Sequence, residues 1–235
     1  MNKTSIKAVL FDLDDTLWAI EPVLQLAEQQ LYRWLQEHAP AVSAQHTITS
    51  LRERRQRLAE TEPAFRINLW ALRHTVLTEV LGQCGEDPAL AGPAMALFST
   101  ARNAVTPFED VVPELLTLKP RLKLGTISNG FADLDRIGLA GHFEISIAAH
   151  QFGTAKPDPS IFHAACKALE VSPQQTVYVG DDLMLDVVGA QQAGLRAVWM
   201  NRFARSLPAH VKPDAVCTDL RELRHWLTLE AAQCN

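Results

Sequence analysis

Between residues 21 and 102 the chain carries helical periodicity and almost no strand signal, yet a buried strand precedes this block and strand–helix alternation comes after it. Residues 6–12 read as the first strand. Glu21–His38 then sets Val23, Leu24, Ala27, Leu31, Trp34 and Leu35 at helical spacing. Thr47–Glu60 reads as a charged helix, and Phe65–Leu81 as an apolar one with Leu69, Leu72, Val76 and Val80. Gly82, Gly85, Pro88, Gly92 and Pro93 punctuate the next stretch, before a short helix over Ala94–Arg102. After Pro107 the spacing predicts helix at Val112–Leu118, strand at Leu122–Ser128 and strand at Ile145–Ala149. Helix comes next at Pro159–Glu170, strand at Thr176–Val179, helix at Leu185–Ala193 and strand at Leu195–Met200. Ala215–Cys217 is a last short strand before a C-terminal helix. Such alternation makes right-handed crossovers and a parallel sheet covered on both faces. The expected fold is therefore α/β, a doubly wound Rossmann-like sheet with an inserted all-helical cap. Residues 1–17 and 106–235 would form the core and 18–105 the cap, with hinges near 17–21 and 103–108.

Composition narrows the function classes. With 235 residues, 47% apolar and 21% charged, the chain is ordinary globular material for one large domain or two smaller ones. A net charge of -5 argues against nucleic acid as a partner, since such domains usually carry a basic stripe. No apolar run approaches the roughly 20 residues that span a bilayer, so no membrane partner is expected. Acids end the first apolar run at once, which does not fit a signal peptide. Cys84, Cys166, Cys217 and Cys234 are scattered without a Cys-x-x-Cys, the usage of a reduced cytoplasm.

The chemistry starts where the first strand runs out, in Val9-Leu10-Phe11-Asp12-Leu13-Asp14-Asp15-Thr16-Leu17. Residues i and i+2 of a strand share a face, so Asp12 and Asp14 can reach one site. Open α/β sheets bind ligands beyond the carboxyl ends of their strands. A calcium loop is excluded, because Leu17 and Val23 stand where a Gly and a bidentate Glu are needed. Three more strand ends are polar: Ser128-Asn129-Gly130, the loop holding Lys156-Pro157-Asp158, and Gly180-Asp181-Asp182 with Asp186 one turn on. Each alone also reads blandly, as a turn, a solvated loop lysine or a helix cap. Their order at successive strand ends is what gives them weight.

In that order the four segments resemble the motifs of the haloacid dehalogenase-like hydrolase superfamily, across the whole chain. Asp12-Leu13-Asp14-Asp15-Thr16 is similar to its first motif, Ser128 to the second, Lys156 to the third, and Gly180-Asp181-Asp182 with Asp186 to the fourth. The helical insert resembles its C1-type cap. The resemblance implies a phosphatase working on a small-molecule phosphate ester, with Mg2+ as cofactor. Asp12 would be the nucleophile that forms an aspartyl-phosphate, and Asp14 the general acid and base. Asp12, Asp181 and the backbone carbonyl of Asp14 would hold the metal. Ser128, Asn129 with its neighbouring N–H groups, and Lys156 would hold the phosphoryl oxygens. Asp182 and Asp186 would orient the metal, its waters or Lys156. Dehalogenases of the superfamily need neither Mg2+ nor an acid at the position of Asp14. A phosphomutase would share these core residues, and a non-catalytic module binding a phosphometabolite is the reading from a different class.

The cap would choose the leaving group. Trp70, Arg73 and His74 share a helix face by spacing, either as cap core or as a surface for a substrate ring. Trp18 would stack on such a ring or seal the cap against the core. Glu62-Pro63-Ala64-Phe65-Arg66-Ile67-Asn68-Leu69-Trp70-Ala71-Leu72-Arg73 resembles a bacterial branch acting on flavin mononucleotide and on 5-amino-6-(5-phospho-D-ribitylamino)uracil, a riboflavin precursor. Nucleotides and sugar or polyol phosphates are the alternative substrates.

Overall fold

The computed structural model describes residues 4–232. Its sheet has six parallel strands: β1 (Ala8–Phe11), β2 (Lys123–Ser128), β3 (Ile145–Ala148), β4 (Thr176–Gly180), β5 (Arg196–Met200) and β6 (Ala215–Cys217). Their spatial order is β3-β2-β1-β4-β5-β6. From β1 the chain winds outward to β3, crosses back to β4 on the other side of β1, and winds the opposite way. This is the doubly wound order, and its switch point lies between β1 and β4.

Every residue of β1 and of β4 is buried. A parallel strand covered on both faces needs a continuous apolar run rather than alternation, and Ala8-Val9-Leu10-Phe11 supplies one. Phe11 pairs with Thr126 on one side and Val179 on the other. The Asp12 N–H still donates to the Val179 carbonyl at 2.8 Å, so sheet pairing reaches the first acid. A Cβ on Gly125 would lie 2.6 Å from the Ile145 side chain and 2.9 Å from that of Leu10, which leaves room only for glycine there.

The chain divides into two compact units. The sheet unit comprises Met1–Ala19, Thr106–Asn129 and Leu134–Asn235; the helical unit comprises Ile20–Val105 with Gly130–Asp133. The second range differs from the boundary read off the sequence, for a local reason. The Asp133 N–H donates to Asn103 Oδ1 at 2.9 Å, and the Phe131 ring lies 6.4 Å from that of Phe98.

The helical unit packs Leu31, Leu35, Leu72, Val76, Met95 and Phe98 together. Thr47 and Ser50 exchange side-chain to backbone bonds of 3.1 and 2.9 Å, a reciprocal cap that starts the helix Ile48–Thr61. The single helix expected over Phe65–Leu81 is instead two, a turn at Ala64–Ile67 and a helix over Leu69–Gln83. Asn68 divides them: its Oδ1 accepts from the Ala71 N–H at 2.9 Å, and asparagine is more stable at an N-cap than inside a helix. In the sheet unit the expected helix Leu185–Ala193 starts earlier, as a π-helical stretch Leu183–Val188 continued by Gly189–Gln192. Among the described residues no helix is long and apolar enough to cross a membrane.

Candidate active site

Asp12 comes directly after β1 and is buried. Lys156, 5% exposed, reaches it from the loop ahead of the helix Pro159–Ala168. The Lys156 ammonium donates to Asp12 Oδ1 at 2.5 Å, to Asp186 Oδ1 at 2.7 Å and to the Tyr178 hydroxyl at 2.9 Å. Three protons thus meet three acceptors. The Tyr178 hydroxyl passes its own proton to the Ile127 carbonyl at 2.9 Å. Asn129 fixes the lysine's backbone from the end of β2, its Nδ2 donating to Lys156 O at 3.0 Å and its Oδ1 accepting from Lys156 N at 2.9 Å.

Asp186 is placed by the π-helical stretch, a distortion that frequently marks functional sites. The N–H groups of both Asp186 and Val187 reach the Asp182 carbonyl, at 3.0 and 3.2 Å. This wider turn lets Asp186 Oδ2 accept from the Asp182 N–H at 2.9 Å while Oδ1 takes Lys156. Gly180 makes room for it, since a Cβ there would sit 2.3 Å from Asp186 Oδ2. The Asp182 side chain caps the stretch, accepting from Met184 N at 2.7 Å and Leu185 N at 2.8 Å. The Asp182 side chain is therefore a helix cap, while its N–H holds the Asp186 carboxylate.

Carboxylate oxygens of Asp12, Asp181 and Asp186 all lie within 4.8 Å of one another. Burial alone would lower the Lys156 ammonium, but the charges of Asp12 and Asp186 more than reverse this and hold it well above the usual range. Burial, reinforced by the charges of Asp186 and Asp181 and opposed by Lys156, holds the Asp12 carboxyl well above its usual range. Burial and the charge of Asp186 push the Asp181 carboxyl up to about 6, against the pull of Arg205. Arg205 donates to Asp181 Oδ2 at 2.8 Å, and the Trp199 indole N–H donates to Asp181 O at 2.8 Å. Three crowded carboxylates beside two cations leave negative charge to offset. An all-oxygen donor set of this kind fits a hard divalent cation such as Mg2+.

Asp14 sits one turn of loop beyond Asp12. Asp15 adopts φ 60°, a left-handed conformation that Asp tolerates better than most residues. The Asp15 N–H then donates to the Trp18 carbonyl at 2.7 Å, and the Leu17 N–H to Leu13 O at 2.8 Å. Ser128 ends β2, beside β1 in the sheet, and is buried.

Two expected positions are corrected. Trp18 belongs to the sheet unit and has no exposed surface, so it presents no face to a substrate ring; its indole N–H donates to Asp14 Oδ1 at 2.8 Å. Arg73 turns inward within the helical unit, onto Glu28 at 3.3 Å and over the Phe98 ring at 3.8 Å. Asp186 joins Asp12 and Asp181 in the acidic cluster and accepts from Lys156. Trp70 is 38% exposed and stacks on His74, ring centroids 5.1 Å apart. Tyr178 and Arg205 escaped the sequence reading. Tyr178 carries a hydroxyl within the mostly apolar β4, a weak signal, and nothing in the sequence pattern marks Arg205.

A family model described as haloacid dehalogenase-like hydrolase matches residues 6–194. The chain is 33% identical over 224 residues to a glyceraldehyde 3-phosphate phosphatase of Methanopyrus kandleri, covering 84% of each chain. It is 30% identical over 199 residues to the 5-amino-6-(5-phospho-D-ribitylamino)uracil phosphatase YigB of Escherichia coli, covering 83% of each. Among solved structures, a 2-haloacid dehalogenase from Pseudomonas syringae pv. tomato DC3000 superposes with a TM-score of 0.90 at 38% identity, over 95% of this chain and 99% of that one.

Proposed function

Because the chain belongs to the haloacid dehalogenase-like hydrolase family, we propose that it is a phosphatase that hydrolyses a small phosphate monoester through an aspartyl-phosphate on Asp12. The observation that carries this reading is the meeting of Asp12, Lys156 and Asp186 at the switch point, with Asp14 on the adjoining loop. Phosphate esters are anionic, and a carboxylate nucleophile repels them. A Mg2+ ion held by Asp12, Asp181 and the Asp14 carbonyl would offset that repulsion. Asp12 then attacks phosphorus, and the bond from phosphorus to the leaving oxygen breaks. Asp14 gives that oxygen its proton. In the second step Asp14 takes a proton from water, the water oxygen attacks phosphorus, and the bond to Asp12 breaks. Lys156, Ser128 and the N–H groups after β2 hold the phosphoryl oxygens as charge shifts among them. Asp186 serves by holding Lys156, since its two oxygens are already bonded. The Asn129 side chain acts through the lysine's backbone.

Flavin mononucleotide or 5-amino-6-(5-phospho-D-ribitylamino)uracil is our substrate proposal, placing the reaction among the steps of riboflavin biosynthesis. The likeness to YigB supports it. A cytoplasmic location fits Cys84, Cys166 and Cys217, which are free thiols. Dehalogenation is the second reading, prompted by the solved relative named for it. Asp14 and the three-carboxylate cluster favour phosphate chemistry, because halide departs without a proton or a cation.

The test is phosphate release with Mg2+ across flavin mononucleotide, the ribitylamino-uracil phosphate, glyceraldehyde 3-phosphate, nucleotides and sugar phosphates, with halide release from a 2-haloacid alongside. Asp12→Asn should abolish turnover, and Asp14→Asn should lower it about 10²–10⁴-fold, the usual worth of a general acid and base. Halide release without phosphate release would overturn the assignment. Turnover confined to the nucleotides would discard the ribityl substrates and keep the mechanism.

A further inference from the structure

Two cations stand at the strand ends, and each is held in the same manner. Asn129, after β2, clasps the backbone of Lys156 with two bonds, and Lys156 meets Asp12. Asn201, directly after β5, clasps the backbone of Arg205: its Oδ1 accepts from Arg205 N at 2.8 Å and its Nδ2 donates to Arg205 O at 2.9 Å. Arg205 in turn donates to Asp181 Oδ2 at 2.8 Å. We infer that Arg205 is a built-in counter-ion of the metal site, a guanidinium that neutralises Asp181 in the metal-free chain and yields that carboxylate to Mg2+. This rests on the reading of Asp181 as a metal ligand.

The two cations differ in how easily they leave. Lys156 is buried, and its three protons are taken by Asp12, Tyr178 and Asp186. The Arg205 side chain is 45% exposed, so it can turn into solvent and be rehydrated. Its loop fixes where it starts from. The Asn201 N–H donates to Cys217 O at 2.7 Å, which ties the clasp to β6. Ala204 adopts φ 50°, a left-handed conformation that alanine holds only where the surrounding bonds impose it. The guanidinium carbon lies 5.6 Å from the Phe203 ring centroid, and that ring meets Phe108 edge-on at 6.4 Å. Clasp and turn fix the backbone of Arg205 and leave its side chain free to move.

The guanidinium faces any divalent ion on Asp181 as a like charge across a single carboxylate. Either it stays and repels that ion, or it leaves and forfeits its bond; the smaller cost sets the penalty. Repulsion across about 5 Å in a watery, salt-screened medium amounts to about tenfold in affinity. An exposed ion pair is worth less, up to about fivefold. Asp181 is more buried than Arg205, so the penalty should lie between about threefold and tenfold.

The experiment titrates the whole chain with Mg2+ alone in a calorimeter, without substrate. Arg205→Gln should bind Mg2+ about three- to tenfold more tightly than wild type. Asn201→Ala, which keeps the guanidinium but unties its backbone, should shift affinity the same way by less, and it carries the test if Arg205→Gln does not fold. Urea unfolding closes the cycle. Without metal Arg205→Gln should be the less stable, and saturating Mg2+ should erase the difference, because what the metal-free chain loses is what metal binding gains. Weaker Mg2+ binding in Arg205→Gln would make the arginine an orienting partner of Asp181 and overturns the inference. Unchanged affinity, with the same loss of stability whether or not Mg2+ is present, marks a merely structural contact and overturns it too. Asp181→Asn is the reference. If it binds Mg2+ as wild type does, the reading of Asp181 fails and the inference with it; if it loses Mg2+ while Arg205→Gln gains none, only the role of Arg205 fails.

Discussion

Glu28 lies in the helix Glu21–His38, 6% exposed, and one carboxylate there serves three arginines. Arg52 donates at 2.5 Å, Arg55 makes a still closer contact, and Arg73 lies 3.3 Å away. Burial alone would raise the Glu28 carboxyl; the bond from Arg52 and the charges of Arg55 and Arg73 reverse this and hold it below its usual 4.5. Burial and the charge of Arg55 push Arg73 down to about 9. Glu28→Gln keeps the shape and removes the charge, leaving Arg55 and Arg73 buried without a counter-ion. Stripping one partner from a buried pair costs about 3–5 kcal/mol. Arg52, whose side chain is 59% exposed, adds little because solvent screens it. The variant should therefore lose about 3 kcal/mol, or roughly 6–12 °C in Tm for a chain of this size. Urea unfolding followed by circular dichroism reads this directly. The pH dependence carries the sign: the folded carboxyl is held low, so its stabilisation is complete above pH 4.5 and is lost as pH falls through the lowered value. Wild type and variant should converge in that acid window. A loss under about 1 kcal/mol, far below that range, or parallel curves through the acid range, would refute the reasoning.

Gly180→Ala drives a Cβ into Asp186 and should cost about 1–3 kcal/mol while cutting phosphate release more than about tenfold; equal stability and turnover would show that Asp186 moves aside freely. Tyr178→Phe leaves the Ile127 carbonyl and one Lys156 proton unmatched inside the protein, and urea unfolding should register a loss of about 1.5–3 kcal/mol. Calorimetric Mg2+ affinity should fall at least about tenfold per unit as pH drops below about 6, because Asp181, pushed up to about 6, must be ionised to ligate. A flat profile from pH 7 to pH 5 would remove Asp181 from the ligand set.

The strand ends were legible because chemistry and topology coincide there. A parallel central strand must be apolar throughout, so the first acids after Ala8–Phe11 stand out, and Ser128, Lys156 and Asp181 emerge by the same logic. The helix Glu21–His38 could be read to its limits, since its apolar stripe is long and Pro22 sits in its first turn. Asn68 hid a break because a single asparagine leaves the 3.6-residue period intact on both sides. Arg73 shows what periodicity omits. Spacing put it on one face with Trp70, but its buried partner is Glu28 in another helix, and a long side chain goes where the charge is. For Trp18 burial excludes stacking on a ring, and spacing could not show this because the indole is placed by a loop that closes around Asp15. Arg205 meets Asp181 across a loop with no period to read.

The position of β1 sets a schedule for synthesis. Phe11 finds its partners in Thr126 and Val179, the nearer of them more than a hundred residues further along the chain. At roughly 5–20 residues per second, the strand at the centre of the sheet leaves the ribosome at least about 5 s before anything can pair with it. During that interval it is an apolar segment with two open edges, the kind of surface that chaperones bind. What emerges meanwhile is the helical segment 20–105, whose contacts are close in sequence and quick to form. Substitutions that slow the ribosome within that segment lengthen the exposure of β1 without touching a residue of the sheet.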